Sequence, residues 1–181
     1  MSVSRSKVRD KGEAKFNKFL KEINRQLSTT KITVGVHEDK GSTAHRDSQG
    51  LTVAEIAAIH EYGIRTVVQT KDGGSRVMTI PERSWLRGWV DPNSQKITAF
   101  MARRCEERMQ AASKGEKPNF LPAFEATGVW AVGQIQQRIA QGIDPENADS
   151  TIDAKGSSTP LIDSGQFRQS ISSKVVTNDG K

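Results

Sequence analysis

A chain of 181 residues with a net charge of +6, 34% hydrophobic residues and a single cysteine is sized for one domain with a thin core. No run of about 18 apolar residues occurs, so no membrane span is predicted, and the charged N-terminus lacks the apolar stretch of a secretory signal. Cys105 stands alone, which excludes an internal disulfide and suits a reducing cytoplasm.

The basic excess sits at one end. Residues 1–31 hold nine Lys/Arg against Asp10, Glu13 and Glu22, whereas residues 32–181 balance 18 against 18. The first element, residues 1–30, reads as a basic amphipathic helix that is regular from about Gly12 to Leu27. Phe16, Phe19, Leu20, Ile23 and Leu27 fall on one stripe at helical spacing. Lys7, Lys11, Lys15, Lys18, Lys21 and Arg25 project to the opposite face. Two readings of that face stand: a solvated side of a docked helix, or a surface for nucleic-acid phosphates or an acidic partner. No aromatic residue is interleaved with the lysines, so base stacking is not suggested.

Residues 31–181 read as an α+β domain. Lys31–His37 alternates, with Ile32, Val34 and Val36 on one face, as a half-buried strand does. Glu38–Gly50 reads as a polar loop. Thr52 and Glu55 then form a capping box with Leu51 and Ile56 at the staple positions, and a helix runs to Gly63, which is expected to end it in the left-handed conformation. Arg65–Thr70 and Ser75–Ile80 flank Lys71-Asp72-Gly73-Gly74, a hairpin signal, and Pro81 closes the second strand.

A short helix presents Trp85, Leu86 and Trp89 on one side. Asp91-Pro92 reads as the start of a helix to about Ser113, with Ile97, Phe100, Met101, Cys105 and Met109 inward. Another helix, about Leu121 to Gln141, carries the stripe Phe124, Gly128, Ala131, Ile135 and Ile139. Trp130 lies well over 90° from that stripe at about 3.6 residues per turn. It is therefore expected to be exposed, or covered by something other than the main core. Residues 143–160 read as a flexible linker, followed by a short helix through Ile171 and a strand near Ser173–Thr177. The expected architecture is an antiparallel sheet of about four strands packed by several helices, with long exposed loops.

Catalytic signatures are weak. His37, His60 and Glu61 lack metal-ligand spacing, so no metal is expected. Ser4 to Lys7 matches a Ser-x-x-Lys pattern but lies in a charged terminus. Asp72-Gly73-Gly74 is a turn without the Gly-Lys-Ser/Thr of a phosphate loop. Glu55, Glu61 and Glu82 read as caps or solvated surface. No enzyme activity and no cofactor are expected.

Four blocks nevertheless occur in order: Val34-Gly-Val36, Val53-Ala-Glu-Ile-Ala-Ala-Ile-His-Glu-Tyr-Gly63, Ile80-Pro-Glu-Arg-Ser-Trp-Leu-Arg87 and Pro160-Leu-Ile-Asp-Ser-Gly-Gln-Phe-Arg-Gln-Ser-Ile171. Over roughly residues 31–178 the chain resembles the tail-completion, or virion-morphogenesis, family of tailed bacteriophages, which includes minor tail protein Z-like members. It departs where the family often has Pro at Ser84 and Thr at Ser164, and the basic helix lies outside the resemblance. What the resemblance implies is a structural, late virion protein of the neck, assembled in the host cytoplasm. Its partners would be further copies of itself in a ring, commonly hexameric in the family, the head connector or head-completion protein, and the tail terminator or tail tube protein. DNA would pass through the lumen without sequence recognition, and no membrane is involved. A ring needs two different surfaces on each subunit. Candidates for these are Trp130, Trp85 and Trp89, with Arg83 and Arg87 beside them and Asp72 and Gly73 at the hairpin tip. The alternative is a small nucleic-acid-binding protein that uses the basic helix.

Overall fold

A computed structural model describes residues 3–44, 50–69, 72–146 and 165–178, with the side chains of the first helix described from Gly12 onward. That helix, α1, spans Val3–Thr29 and so extends beyond the predicted 12–27 at both ends. It leads directly into β1, Thr30–Val36. Glu38–Gly41 forms a single helical turn, α2, inside what reads in sequence as a plain polar loop. Then follow α3 (Val53–Tyr62), β2 (Ile64–Gln69), β3 (Ser75–Ile80) and α4 (Arg87–Val90). The chain continues through α5 (Ser94–Ser113), α6 (Leu121–Gln141), α7 (Gln166–Ser170) and β4 (Ile171–Thr177). The expected segments at 45–49, 147–160 and Leu161–Ser164 lie outside the described residues.

The mixed helix and strand content agrees with an α+β fold, but the single four-stranded sheet does not form. Among the described residues there are two antiparallel sheets of two strands each, β1 with β4 and β2 with β3. Alternating side chains mark a strand without naming its neighbour, and β1 finds its partner at the far end of the sequence. The β2–β3 hairpin keeps a regular register from Ile64↔Ile80 to Gln69↔Ser75.

By packing, the chain divides into two units. The first comprises residues 1–33, 97–128 and 174–181. Its core is Ile23, Phe120 and Phe124, with Phe19, Ile32, Met101, Cys105 and Val175 packed against them. Only part of the α1 stripe is used there: Phe16 remains 59% exposed, and Leu20 and Leu27 are also exposed. Gln26 splices α1 to the segment before α6. Its amide nitrogen donates to the Pro118 carbonyl at 3.0 Å, and its oxygen accepts from Phe120 N–H at 3.0 Å. Burial raises the pKa of the Cys105 thiol and so favours the protonated form over the thiolate. Met109, expected to point inward, is exposed near the end of α5.

The second unit comprises residues 34–96 and 129–173. Here α3 packs against α2 and α7, and Val53, Ala57, Trp85, Ile135, Ile139 and Phe167 are buried. The Trp85 and Phe167 rings meet edge to face, with centroids 5.1 Å apart. The capping box of α3 is present as read. Glu55 N–H donates to Thr52 Oγ1 at 3.3 Å, and Thr52 N–H donates to Glu55 Oε2 at 2.7 Å. Thr52→Ala is expected to cost about 1 kcal/mol of stability by urea unfolding.

Two boundaries differ from expectation. Gly63 has φ 69° but ψ 167°, so it turns the chain straight into β2 instead of closing a left-handed cap. Asp91 follows α4, and α5 starts only at Ser94.

Candidate functional site

Glu61 occupies the last turn of α3, where the helix dipole disfavours an acid. It is nevertheless only 3% exposed. Its reason for being there lies in the Ile80–Arg87 block. Oε1 accepts from the Ser84 hydroxyl at 2.8 Å, from Arg87 N–H at 3.0 Å and from Arg87 Nε at 2.9 Å. Oε2 accepts from Leu86 N–H at 2.9 Å. Burial alone pushes the carboxyl pKa up, but these donors outweigh it and hold it below its ordinary value. With four donors on two oxygens, Glu61 is a latch, and as bonded it is poorly placed to act as a general base.

The residues around it are spent in the same way. Arg87 also donates through Nη2 to the Glu61 carbonyl at 3.1 Å and to Glu82 Oε1 at 3.0 Å, and its guanidinium lies 4.7 Å from the Tyr62 ring centre. The Glu61 contact raises its pKa. Ser84 Oγ, while donating to Glu61, accepts from Gly88 N–H at 3.0 Å and so caps α4. Arg83 N–H donates to the His60 carbonyl at 2.7 Å, and Trp85 Nε1 donates to the Ala57 carbonyl at 3.0 Å. The Arg83 side chain is 4% exposed and turns the other way, donating to the carbonyls of Pro145 at 2.6 Å and Glu146 at 2.9 Å. Its pKa is lowered by that burial. The α3 block and the Ile80–Arg87 block are therefore one bonded assembly.

Of the residues singled out in the sequence, Arg83, Trp85, Arg87 and Trp89 belong to this assembly or its core. Trp85 and Trp89 are buried, so neither offers a free ring to a partner. Trp130 is half-buried, not fully exposed: its ring meets Trp89 edge on, with centroids 5.7 Å apart. Along α6 the next ridge residue but one is Arg138, which lies so close to Gly88 that a Cβ there would sit 3.0 Å from its guanidinium. Asp72 and Gly73 are exposed in the hairpin turn.

Lys15, Lys18, Lys21 and Arg25 are exposed on α1, in the other unit, while the side chains of Lys7 and Lys11 lie outside the described residues. Arg25 is engaged with Glu22 at 2.8 Å. The Arg25 and Gln26 side chains pull the Glu22 carboxyl down to about 2. A groove of about 300 Å³ opens beside them, lined by Arg25, Gln26, Thr30, Lys117, Asn119 and Leu121 among others.

Sequence reading gave Glu61 only as a cap or solvated surface and did not single out Gln26. An acid at a helix C-terminus was the one available signal for Glu61. Nothing marked Gln26. Among the described residues no group of three His, Cys, Asp or Glu is placed to hold a metal, and no helix is long and apolar enough to cross a membrane. His37 Nδ1 and Ser172 Oγ are 2.9 Å apart, linking the end of β1 to β4. Comparison with family models, with curated proteins and with solved structures finds no match to this chain.

Proposed function

We propose that this chain is a structural subunit of a tailed-phage neck, one member of a ring that joins the head connector to the tail around the DNA passage. The observation that carries the reading is the Glu61 latch. Two of the four blocks that resemble the tail-completion family, Val53–Gly63 and Ile80–Arg87, are bonded to one another through Glu61, Ser84, Leu86 and Arg87. Their polar residues serve that scaffold, which is what an assembly protein requires. Ser84, where the family often has Pro, is itself part of the latch through its hydroxyl.

The test is genetic and morphological. Phage particles assembled without this protein are expected to accumulate as separate heads and tails. Normally tailed particles would overturn the reading.

The second reading, nucleic-acid binding through α1, draws on the exposure of Lys15, Lys18 and Lys21. Ion pairing of Arg25 to Glu22 takes one cation away from it. DNA titrated against the full chain and against a form lacking residues 1–30 separates the two, because equal binding by both removes α1 as the site.

A further inference from the structure

We infer that the β2–β3 hairpin receives an extended, acid-bearing segment of another protein, which adds as a third strand along one open edge. The receiving edge is that of β3, whatever role the chain has in a neck.

Among the described residues the sheet has two strands only, so each strand keeps an outer edge of backbone N–H and C=O groups without a ladder partner. Such a pair is marginal by itself in water. Its outward face carries Val67 and Val77 directly opposite one another, 63% and 55% exposed. A cross-strand pair of β-branched residues gains by contact with a third side chain on that face. The base of the hairpin is held firmly: Arg83 N–H bonds the His60 carbonyl, and the Glu61 latch follows immediately. An edge on a stiff base loses little entropy when it is lengthened.

Charge selects the occupant. Arg65 and Arg76 are the only charged residues in the two strands. By the register Arg65 shares the face of the valine pair and Arg76 lies on the other face. A strand along β3 with its apolar residues over the valines therefore sets its alternate residues on the Arg76 face, where Asp or Glu is stabilised and a basic residue is repelled. The described strands of a second copy carry Lys31 and Lys174 and no acid, so copy-to-copy edge pairing sets like charges together. Nucleic acid has no use for the valine pair. What fits is a segment of a different protein with alternating apolar and acidic residues.

The probe is a short peptide of alternating valine and glutamate, titrated into the full-length isotopically labelled chain, with a valine–lysine peptide as its counterpart. Saturable shifts in the amide signals of Ser75–Ile80 are expected with the first peptide and not with the second. The variant Arg76→Glu is expected to bind at least about tenfold more weakly. The variant Val67→Thr/Val77→Thr keeps β-branching while removing the apolar pair, and it should also weaken binding, which guards against a charge variant that fails to fold. Three outcomes overturn the inference: shifts that ignore the sign of the peptide's charge, no shifts at saturating peptide, or protection of these amides by self-association of the chain alone.

Discussion

Replacing Glu61 by alanine is expected to lower the unfolding free energy by about 3–5 kcal/mol, the range for removing one partner from a buried, hydrogen-bonded charge. The ion pair with Arg87 supplies the smaller part, because the Arg87 side chain is 47% exposed and water screens it. The larger part comes from orphaned donors: the Leu86 and Arg87 N–H groups and the Ser84 hydroxyl all lose their acceptor. Glu61→Gln keeps the volume and one acceptor, so it should cost less than alanine. The pH dependence follows from the lowered pKa. A carboxyl held below its ordinary value contributes its stabilisation above that value and loses it as pH falls through the folded pKa. The gap between the wild-type chain and Glu61→Gln should thus be full near neutral pH and shrink below the ordinary carboxylate range. Urea unfolding across that range measures it. A gap that is constant with pH would show that the ionisation of Glu61 contributes nothing to stability.

Gly63→Ala is expected to be nearly as damaging, through the backbone. At φ 69° and ψ 167° the residue occupies a region reserved almost entirely for glycine, where another residue costs about 1–3 kcal/mol. An added Cβ would also stand 2.8 Å from Glu82 N and 3.0 Å from the Ile80 carbonyl oxygen. Both are backbone atoms at the foot of the hairpin, so no side chain can swing away to make room. A fall in melting temperature of about 5–10 °C is expected for a chain of this size. Gly73→Ala is the control. It too has positive φ, 82°, but a Cβ there meets nothing within 4 Å, so only the conformational cost applies. Equal effects at the two positions would show that the close approach at Gly63 is unimportant.

Local structure was legible where local physics decides it. β1 was located from alternation, β2 and β3 from the turn residues between them, and the α3 cap was read from Thr52 and Glu55 because capping involves residues three apart. Partners distant in sequence were not legible. The pairing of β1 with β4, the docking of Glu61 onto Ser84–Arg87 and the splice of Gln26 onto Pro118 and Phe120 all depend on three-dimensional approach. Trp130 shows the limit of a projection. The wheel placed it correctly off the main stripe of α6, yet it could not show that Trp89 would come to meet it. The α1 stripe shows the converse: perfect spacing, with only Ile23 fully buried. The candidate site was legible as a motif and not as a mechanism, since both blocks were visible while the carboxylate joining them read as surface.

The three-segment make-up of the first unit has a consequence for synthesis on the ribosome. α1 emerges first, but Gln26 waits 92 residues for Pro118, and Thr33 waits 141 residues for the Lys174 carbonyl that its hydroxyl bonds. At translation rates of about 5–20 residues per second, that second wait lasts roughly 7–28 s. Until Met101, Cys105, Phe120 and Phe124 are made, Phe19 and Ile23 lack most of the residues that pack against them, on the most positively charged stretch of the chain. The like charges of that stretch favour separation of nascent chains on one polysome until those residues arrive.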